Sequence, residues 1–130
     1  KLVLKAGNVN NLYRDILALC GVIEDKNNGF SDCAFAIIRM SLRLLCETAS
    51  KELGYKDFKD YIWTFGANAK KKLDQDTKTL LSNQNVSPET LTQLLQTGAH
   101  NYLSSTSVDQ AKCISILLGA ILTESHGRSK

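Results

Sequence analysis

The longest uninterrupted helical pattern in the chain runs from Phe30 to Leu53 and contains neither Gly nor Pro. Its apolar residues recur at intervals of three and four, which is typical of one face of an α-helix. The main apolar stripe consists of Phe35, Ile38, Leu42, Leu45, Ala49 and Leu53, and Ala34, Ile37 and Leu44 widen it. A stripe of this width predicts a central helix that contacts several neighbouring helices.

The polar strip of this central helix contains both acidic and basic residues. Opposite charges stand four residues apart at Arg43 and Glu47 and again at Glu47 and Lys51, a spacing that stabilises helices. We predict that most of this strip faces water. Arg39 is the exception, because apolar residues flank it on both sides midway along the helix.

Other segments repeat the helical spacing before and after the central helix. The first begins at a cap formed by Asn8 or Asn10 and reaches Ile23, and the run EDKNNG ends it. Asn28 or Ser31 then caps the central helix, which Gly54 closes. A third helix starts near Asp57 and reaches Leu73, and its continuation to Leu81, or a break near Gly66 or Asp74, stays open.

The last two helices have clear starting signals. Ser87 is a good cap and Pro88 suits the first helical position, so a fourth helix begins there. Ser107 and Gln110 have the spacing of a capping box for the fifth helix, from Val108 to Leu122. This fifth helix is apolar nearly all round. It is therefore either enclosed by other helices or half-exposed until a partner covers it.

These elements define the fold class. No segment alternates with the period of a strand and no internal repeat is visible. The length of 130 residues, of which 43% are apolar, suits one domain with a hydrophobic core. We predict an all-α fold in which residues 1–130 form a single bundle of about five helices with short connections.

The chain ends and the cysteines bear on location. The first residue is Lys, no signal segment opens the chain, and no apolar run is long enough to span a membrane. We interpret the chain as a soluble cytoplasmic fragment of a larger protein, without a membrane. No C-x-x-C pair occurs, so buried free thiols are the expectation for Cys20, Cys33, Cys46 and Cys113. We expect no metal and no cofactor. A net charge of +3 permits a nucleic-acid partner without requiring one.

Common catalytic motifs are absent from the sequence: there is no P-loop, no G-x-G-x-x-G, no H-E-x-x-H and no G-x-S-x-G. Two histidines are present. His126 lies in the terminal run SHGRSK, where chains commonly fray, and we predict no role for it. His100 follows the small residues Gly98 and Ala99 and could face a groove, although a structural histidine bonded to a backbone carbonyl is the simpler interpretation.

The run AFAIIRMSLRLLCE from Ala34 to Glu47, the later helix ending in His100-Asn101, and the last apolar helix together resemble the HEPN-like helical domains of bacterial defence and toxin proteins. The resemblance implies a helical bundle that often dimerises. In active members, an Arg and a His a few residues apart on one helix cleave RNA. His100 matches that His, but Gln93, Leu94 and Leu95 stand where the Arg belongs. Inherited ribonuclease activity is therefore not expected.

Two functional hypotheses follow. The first is a non-catalytic helical module of a larger microbial or viral protein that self-associates, most simply as a homodimer, or binds a partner protein. The alternative is an RNA-binding or ribonuclease domain with a rearranged site built from Arg39, His100 and Asn101. The first is favoured, because cleavage of a phosphodiester needs both a proton carrier and a fixed positive charge. A viral nucleocapsid-associated helical domain is a third interpretation.

Three further sets of residues carry predictions. Lys70, Lys71 and Lys72 form a basic run that is either a solvated helix face or a nucleic-acid contact. Trp63 is predicted to be a core or interface anchor rather than a base-stacking platform. A second apolar stripe on the last helix, Cys113, Ile116 and Ala120, predicts self-association through that helix.

Overall fold

The computed structural model describes residues 2–24, 34–100 and 108–128, and within these the side chains of residues 23, 24, 35, 97–100 and 108 are not described. The described residues form six helices: α1 (Asn8–Glu24), α2 (Ala34–Glu52), α3 (Phe58–Lys71), α4 (Gln75–Asn83), α5 (Pro88–His100) and α6 (Val108–His126). Their only β-type pairing is an isolated antiparallel bridge between Leu4 and Gly127. The prediction of an all-helical chain is confirmed for the described residues.

The additional helix arises where the sequence left the third helix open. Helix α3 ends at Lys71, and Asp74 then caps a separate helix α4 by accepting a hydrogen bond of 2.7 Å from the backbone N–H of Thr77. These hydrogen bonds lower the pKa of the Asp74 carboxyl, because they favour its charged form. The break near Asp74 is therefore the alternative that the structure adopts.

The start signal of α5 is confirmed in detail. The backbone N–H of Thr90 donates to Ser87 Oγ at 3.2 Å, and the backbone N–H of Ser87 donates to Thr90 Oγ1 at 2.9 Å. This reciprocal pair is a capping box with Thr in the place of Glu. At the other predicted end, Gly54 adopts φ +85° directly after α2, a left-handed conformation that suits glycine. The predicted caps Asn28, Ser31 and Ser107 lie outside the described residues.

One hydrophobic core joins the helices. Helix α2 packs against α1, α3, α5 and α6, so the prediction that it contacts several helices is confirmed. Helix α6 lies against α2, α3 and α4. The largest fully buried side chains are Tyr61, Leu45, Ile62, Leu81, Leu91, Leu95, Ile114, Leu117, Leu118, Ile121, Leu122 and Val9. Of the two interpretations of the last helix, enclosure by other helices is the one that the structure adopts.

The structure corrects three positions of the wide apolar face predicted for the central helix. Ile38, Leu42, Leu45 and Ala49 are buried as predicted, and so is Ala34. In contrast, Ile37, Leu44 and Leu53 are exposed. The neighbouring helices cover the side of α2 that holds the buried residues, so Ile37 and Leu44 face away from them.

The segment before α1 is held against the end of α6. The backbone N–H of Lys5 donates to the carbonyl of His126 at 2.8 Å, and the backbone N–H of Arg128 donates to the carbonyl of Val3 at 3.0 Å. Leu4 is buried between these bonds. The two ends of the described chain therefore meet at one place, which is where a candidate site lies.

Gly66 on α3 lies close to Pro88 at the start of α5. A Cβ atom at this position would lie 2.8 Å from Pro88 Cβ, which belongs to a rigid ring close to the backbone. We expect Gly66→Ala to lower the free energy of unfolding by about 1–3 kcal/mol, despite the higher helix propensity of Ala. Urea denaturation measures this change. Gly21→Ala is the matched control, since a Cβ there meets nothing within 4 Å, and equal stability of the two variants would contradict the prediction.

Candidate functional site

A row of exposed apolar side chains runs along α2. Ile37, Met40 and Leu44 have 51%, 45% and 52% of their surface exposed. Their spacing of three and four residues places them on one side of the helix, together with Ser41 and Thr48. We call these five residues the α2 stripe. Large apolar side chains grouped on one face are more informative than the same residues scattered singly.

The two hydroxyl groups of the α2 stripe are already satisfied by the helix itself. Ser41 Oγ donates to the carbonyl of Ile37 at 2.9 Å, and Thr48 Oγ1 donates to the carbonyl of Leu44 at 2.8 Å. A buried polar group without a hydrogen bond costs free energy, whereas these hydroxyls keep their acceptors when water is removed. The α2 stripe is therefore a surface that a second apolar surface can cover at low cost.

Arg39 is buried, with 2% of its surface exposed. Its Nη2 donates to the carbonyl of Leu94 on α5 at 3.0 Å, and its Nη1 donates to Gln110 Oε1 on α6 at 3.2 Å. Gln110 Nε2 donates in turn to the carbonyl of Gln84, just after α4, at 3.1 Å. Burial lowers the pKa of the Arg39 guanidinium. The predicted exception on the polar strip is confirmed, and Arg39 joins three helices.

The burial of Arg39 affects the predicted catalytic site, in which Arg39 was grouped with His100 and Asn101. Arg39 contacts α5, the helix that ends at His100, but its guanidinium is enclosed, and an RNA phosphate does not reach it in this conformation. The side chain of His100 and the whole of Asn101 lie outside the described residues. The grouping of Arg39, His100 and Asn101 therefore stays a prediction.

The basic run at the end of α3 is exposed at all three positions. Lys72 Nζ lies 2.7 Å from Glu124 Oε2 on α6, so this lysine forms an ion pair between two helices. Such surface pairs contribute little to stability. Lys70 and Lys71 project to solvent, and a contact of this run with nucleic acid stays a prediction.

The predicted interface on the last helix is divided by the structure. Cys113 is buried, and its Sγ lies 3.8 Å from the carbonyl of Leu80 on α4. Its predicted part in an interface is therefore corrected, because α4 lies against it. Ala120 is half-buried and Ile116 is 37% exposed. These three residues do not form a continuous exposed stripe.

Trp63 lies on the outer side of α3 with 77% of its surface exposed. Its predicted place in the core is therefore wrong. Tyr61 and Phe65, on either side of it in sequence, turn inward and pack against each other with ring centroids 5.4 Å apart. An interface role for Trp63 stays a prediction.

A hydrogen-bonded chain of four side chains lies where the two chain ends meet. Tyr61 Oη is 2.6 Å from Ser125 Oγ, Ser125 Oγ is 2.7 Å from His126 Nδ1, and His126 Nε2 is 3.1 Å from Glu52 Oε1. We call these four residues the polar chain. The prediction of no role for His126 assumed a frayed terminus, but the histidine is buried and bonded at both ring nitrogens.

The direction of the hydrogen bonds in the polar chain follows from its ends. Glu52 accepts only, so a neutral His126 carries its proton on Nε2 and leaves Nδ1 as an acceptor. Ser125 then donates to Nδ1 and accepts from Tyr61. Burial is the main cause that raises the pKa of Tyr61, so the phenol keeps the proton that it donates.

A cavity of about 250 Å³ opens beside the polar chain. Its lining combines Glu52, Ser125 and His126 with residues from the chain start, namely Lys5, Ala6, Gly7, Val9 and Leu53. The sequence shows Ser125 next to His126, but the approach of Glu52 and Tyr61 depends on how α2 and α3 pack against α6. No local motif announces this arrangement.

The reactivity of two buried thiols, Cys46 and Cys113, reports whether the core is closed to solvent. Burial raises the pKa of Cys46 and, with a smaller contribution from Asp109, that of Cys113. We expect neither to react with iodoacetamide at pH 8 in the folded protein, because the thiolate is the nucleophile. Mass spectrometry after timed labelling measures this, with labelling in guanidinium chloride as the control.

The raised pKa values of Cys46 and Cys113 also make the stability of the fold depend on pH. A thiol whose pKa is higher in the folded than in the unfolded state stabilises the fold below about pH 8.5, and this stabilisation is lost as the pH rises further. We therefore expect the free energy of unfolding to fall above that pH. Rapid labelling of both thiols in the folded protein would contradict their enclosure.

Among the described residues, no three His, Cys, Asp or Glu side chains are grouped so that they could hold a metal ion. None of the described helices is both long and apolar enough to cross a membrane. No protein-family model, curated protein or solved structure matches this chain. The α2 stripe and the polar chain are therefore the two features of the described residues from which a function is inferred below.

Proposed function

We propose that this chain is a helical self-association module in which the α2 stripe of one copy packs against the α2 stripe of a second copy. The observation that carries the proposal is the exposure of Ile37, Met40 and Leu44 on one helix face whose hydroxyls are already bonded. The proposal retains the interaction module expected from the sequence and moves its contact from the last helix to α2.

The arrangement of the α2 stripe favours a second copy over an unrelated partner. Ile37 and Leu44 lie on either side of Met40 and Ser41, so an antiparallel pairing about a two-fold axis sets Ile37 of one copy against Leu44 of the other. Met40 meets its own counterpart near the axis. The small Ser41 leaves room for the two helices to approach closely at that point.

The apolar area involved sets the strength of the association. Fully burying a large apolar side chain contributes about 1.5–3 kcal/mol, and these are already half-buried, so each contributes about 1 kcal/mol on pairing. Six such side chains contribute roughly 6 kcal/mol, which would correspond to a Kd of about 40 μM if association had no cost. The cost of association weakens this value, so we expect a weak dimer with a Kd of about 40 μM or higher.

Sedimentation equilibrium between about 10 μM and 2 mM, a range that extends well above the lowest expected Kd, tests the proposal. The native chain should shift from monomer to dimer across the range. Met40→Glu should remain monomeric, because it places two carboxylates close together near the axis. Ile116→Glu is the matched control on the exposed part of α6 and should dimerise like the native chain.

Two outcomes would overturn the proposal. One is a native chain that stays monomeric throughout the range. The other is a dimer that survives Met40→Glu and is lost in Ile116→Glu, which would return the interface to the last helix. Circular dichroism of each variant confirms that the helices are intact.

A further inference from the structure

The polar chain contains the three groups that activate a serine nucleophile. Ser125 Oγ lies 2.7 Å from His126 Nδ1, and His126 Nε2 lies 3.1 Å from Glu52 Oε1. A hydroxyl bonded to an imidazole that is itself bonded to a carboxylate is the arrangement that hydrolases and acyltransferases use, and it is recognised by geometry rather than by sequence order. In the common arrangement, Nε2 of the histidine bonds the serine and Nδ1 bonds the carboxylate. Here Nδ1 of His126 bonds Ser125 and Nε2 bonds Glu52.

We propose that Ser125 is a nucleophile that accepts a short acyl group from an ester bound in the adjoining cavity. His126 acts as the base, and Glu52 is a positioning residue that fixes the imidazole tautomer. This activity is independent of the proposed dimer. The α2 stripe ends at Thr48, and the cavity is lined by other residues.

The hydrogen bond between Tyr61 and Ser125 does not prevent the serine oxygen from acting as a nucleophile. A serine oxygen has one proton and two lone pairs, and with a neutral imidazole protonated on Nε2 the serine proton goes to His126 while one lone pair accepts from Tyr61. The second lone pair is available to attack a carbonyl carbon. The alternative acceptor for the serine proton is the carbonyl of Leu122 at 3.5 Å, which is much farther than His126 Nδ1.

The reaction balances without another reagent. Ser125 Oγ forms a bond to the carbonyl carbon while its proton passes to His126 Nδ1. The bond between that carbon and the leaving oxygen then breaks, and His126 returns the proton to the leaving group. Water hydrolyses the acyl-serine in the same two stages, with His126 again taking and returning the proton.

The lining of the cavity includes residues next to the N-terminus of α1. Ala6 and Gly7 precede this helix, and Val9 lies in its first turn. Backbone N–H groups in the first turn of a helix have no acceptor within the helix, and the helix dipole favours negative charge there. Such groups stabilise a developing oxyanion. A volume of about 250 Å³ suits a short acyl chain, and exposed Lys5 at the edge favours an anionic leaving group.

Acylation of the whole chain by p-nitrophenyl acetate tests the proposal, with the modified residue located by peptide mass spectrometry. We expect acetyl transfer to Ser125 at least tenfold faster than to Ser115, an exposed serine on the same helix. Glu52→Gln should slow the labelling of Ser125 by about tenfold or more with little change in melting temperature, because it removes the charge that stabilises the imidazolium.

The outcomes decide the assignment. Preferential labelling of Ser125 that Glu52→Gln slows supports it, and Glu52→Asp should recover part of the rate. Labelling of Ser125 no faster than that of Ser115, together with p-nitrophenol release no faster than from Ser125→Ala, overturns it. An acetyl group found on His126 and not on Ser125 would overturn the role given to the serine. A rate of Ser125 labelling that Glu52→Gln leaves unchanged would overturn the role given to Glu52.

Discussion

Replacing Arg39 by Ala should lower the free energy of unfolding by about 3–5 kcal/mol, the largest single-residue effect that we expect in this protein. The substitution removes hydrogen bonds from a charged donor, including those to the carbonyl of Leu94 and to Gln110 Oε1. It also leaves space where the aliphatic part of the side chain was packed. Because these acceptors lie on different helices, the loss affects the contacts of α2 with both α5 and α6.

Chemical denaturation followed by circular dichroism measures this effect, and two further variants locate its cause. Arg39→Lys keeps the charge but presents one ammonium in place of a planar fork, so we expect an intermediate loss. Arg43→Ala is the matched control on the same helix. Arg43 Nε lies 2.9 Å from Glu47 Oε1 in a half-exposed pair, which contributes about 1 kcal/mol or less. Similar losses for Arg39→Ala and Arg43→Ala would contradict the argument.

The burial of Arg39 is a feature that the sequence could predict. A charged residue between apolar neighbours on a helix with a wide apolar stripe has few directions that lead to water. The sequence could not supply its acceptors, because a backbone carbonyl on α5 and an amide on α6 become neighbours of α2 only after the chain has folded. Local pattern therefore indicates which residue is unusual, and tertiary packing decides what it does.

The exposure of Ile37 and Leu44 is a second feature that the sequence could not predict. Periodicity places both residues beside the apolar stripe of α2, and the apolar pattern alone does not state how many helices cover that stripe. In the structure, the neighbours of α2 cover the side that holds Leu42, Leu45 and Ala49. The residues that depart from the predicted core are the same ones that form the proposed interface.

The polar chain was missed because its members are far apart in sequence. A terminal run such as SHGRSK predicts fraying, since local composition offers nothing to hold it. The backbone bond from Lys5 to His126 and the bridge between Leu4 and Gly127 hold that end in place. The adjacent Ser125 and His126 were the only signal in the sequence, and it gains meaning only once Glu52 lies beside the imidazole.

The second large effect concerns the last helix, whose all-round apolar pattern allowed two interpretations. Leu117 is fully buried, whereas the adjacent Ile116 is 37% exposed. We expect Leu117→Ala to lower the free energy of unfolding by about 3 kcal/mol, through lost burial and the cavity left behind. The corresponding fall in melting temperature is about 10 °C.

Ile116→Ala provides the comparison on the same helix, one residue away, and should cost about 1 kcal/mol or less, because much of this side chain is already in water. Thermal denaturation at low protein concentration measures both variants without a contribution from association. If α6 were instead half-exposed and covered only by a partner, the two substitutions would have comparable effects on the monomer. Since α2, α3 and α4 enclose α6 within one chain, the loss should fall almost entirely on Leu117.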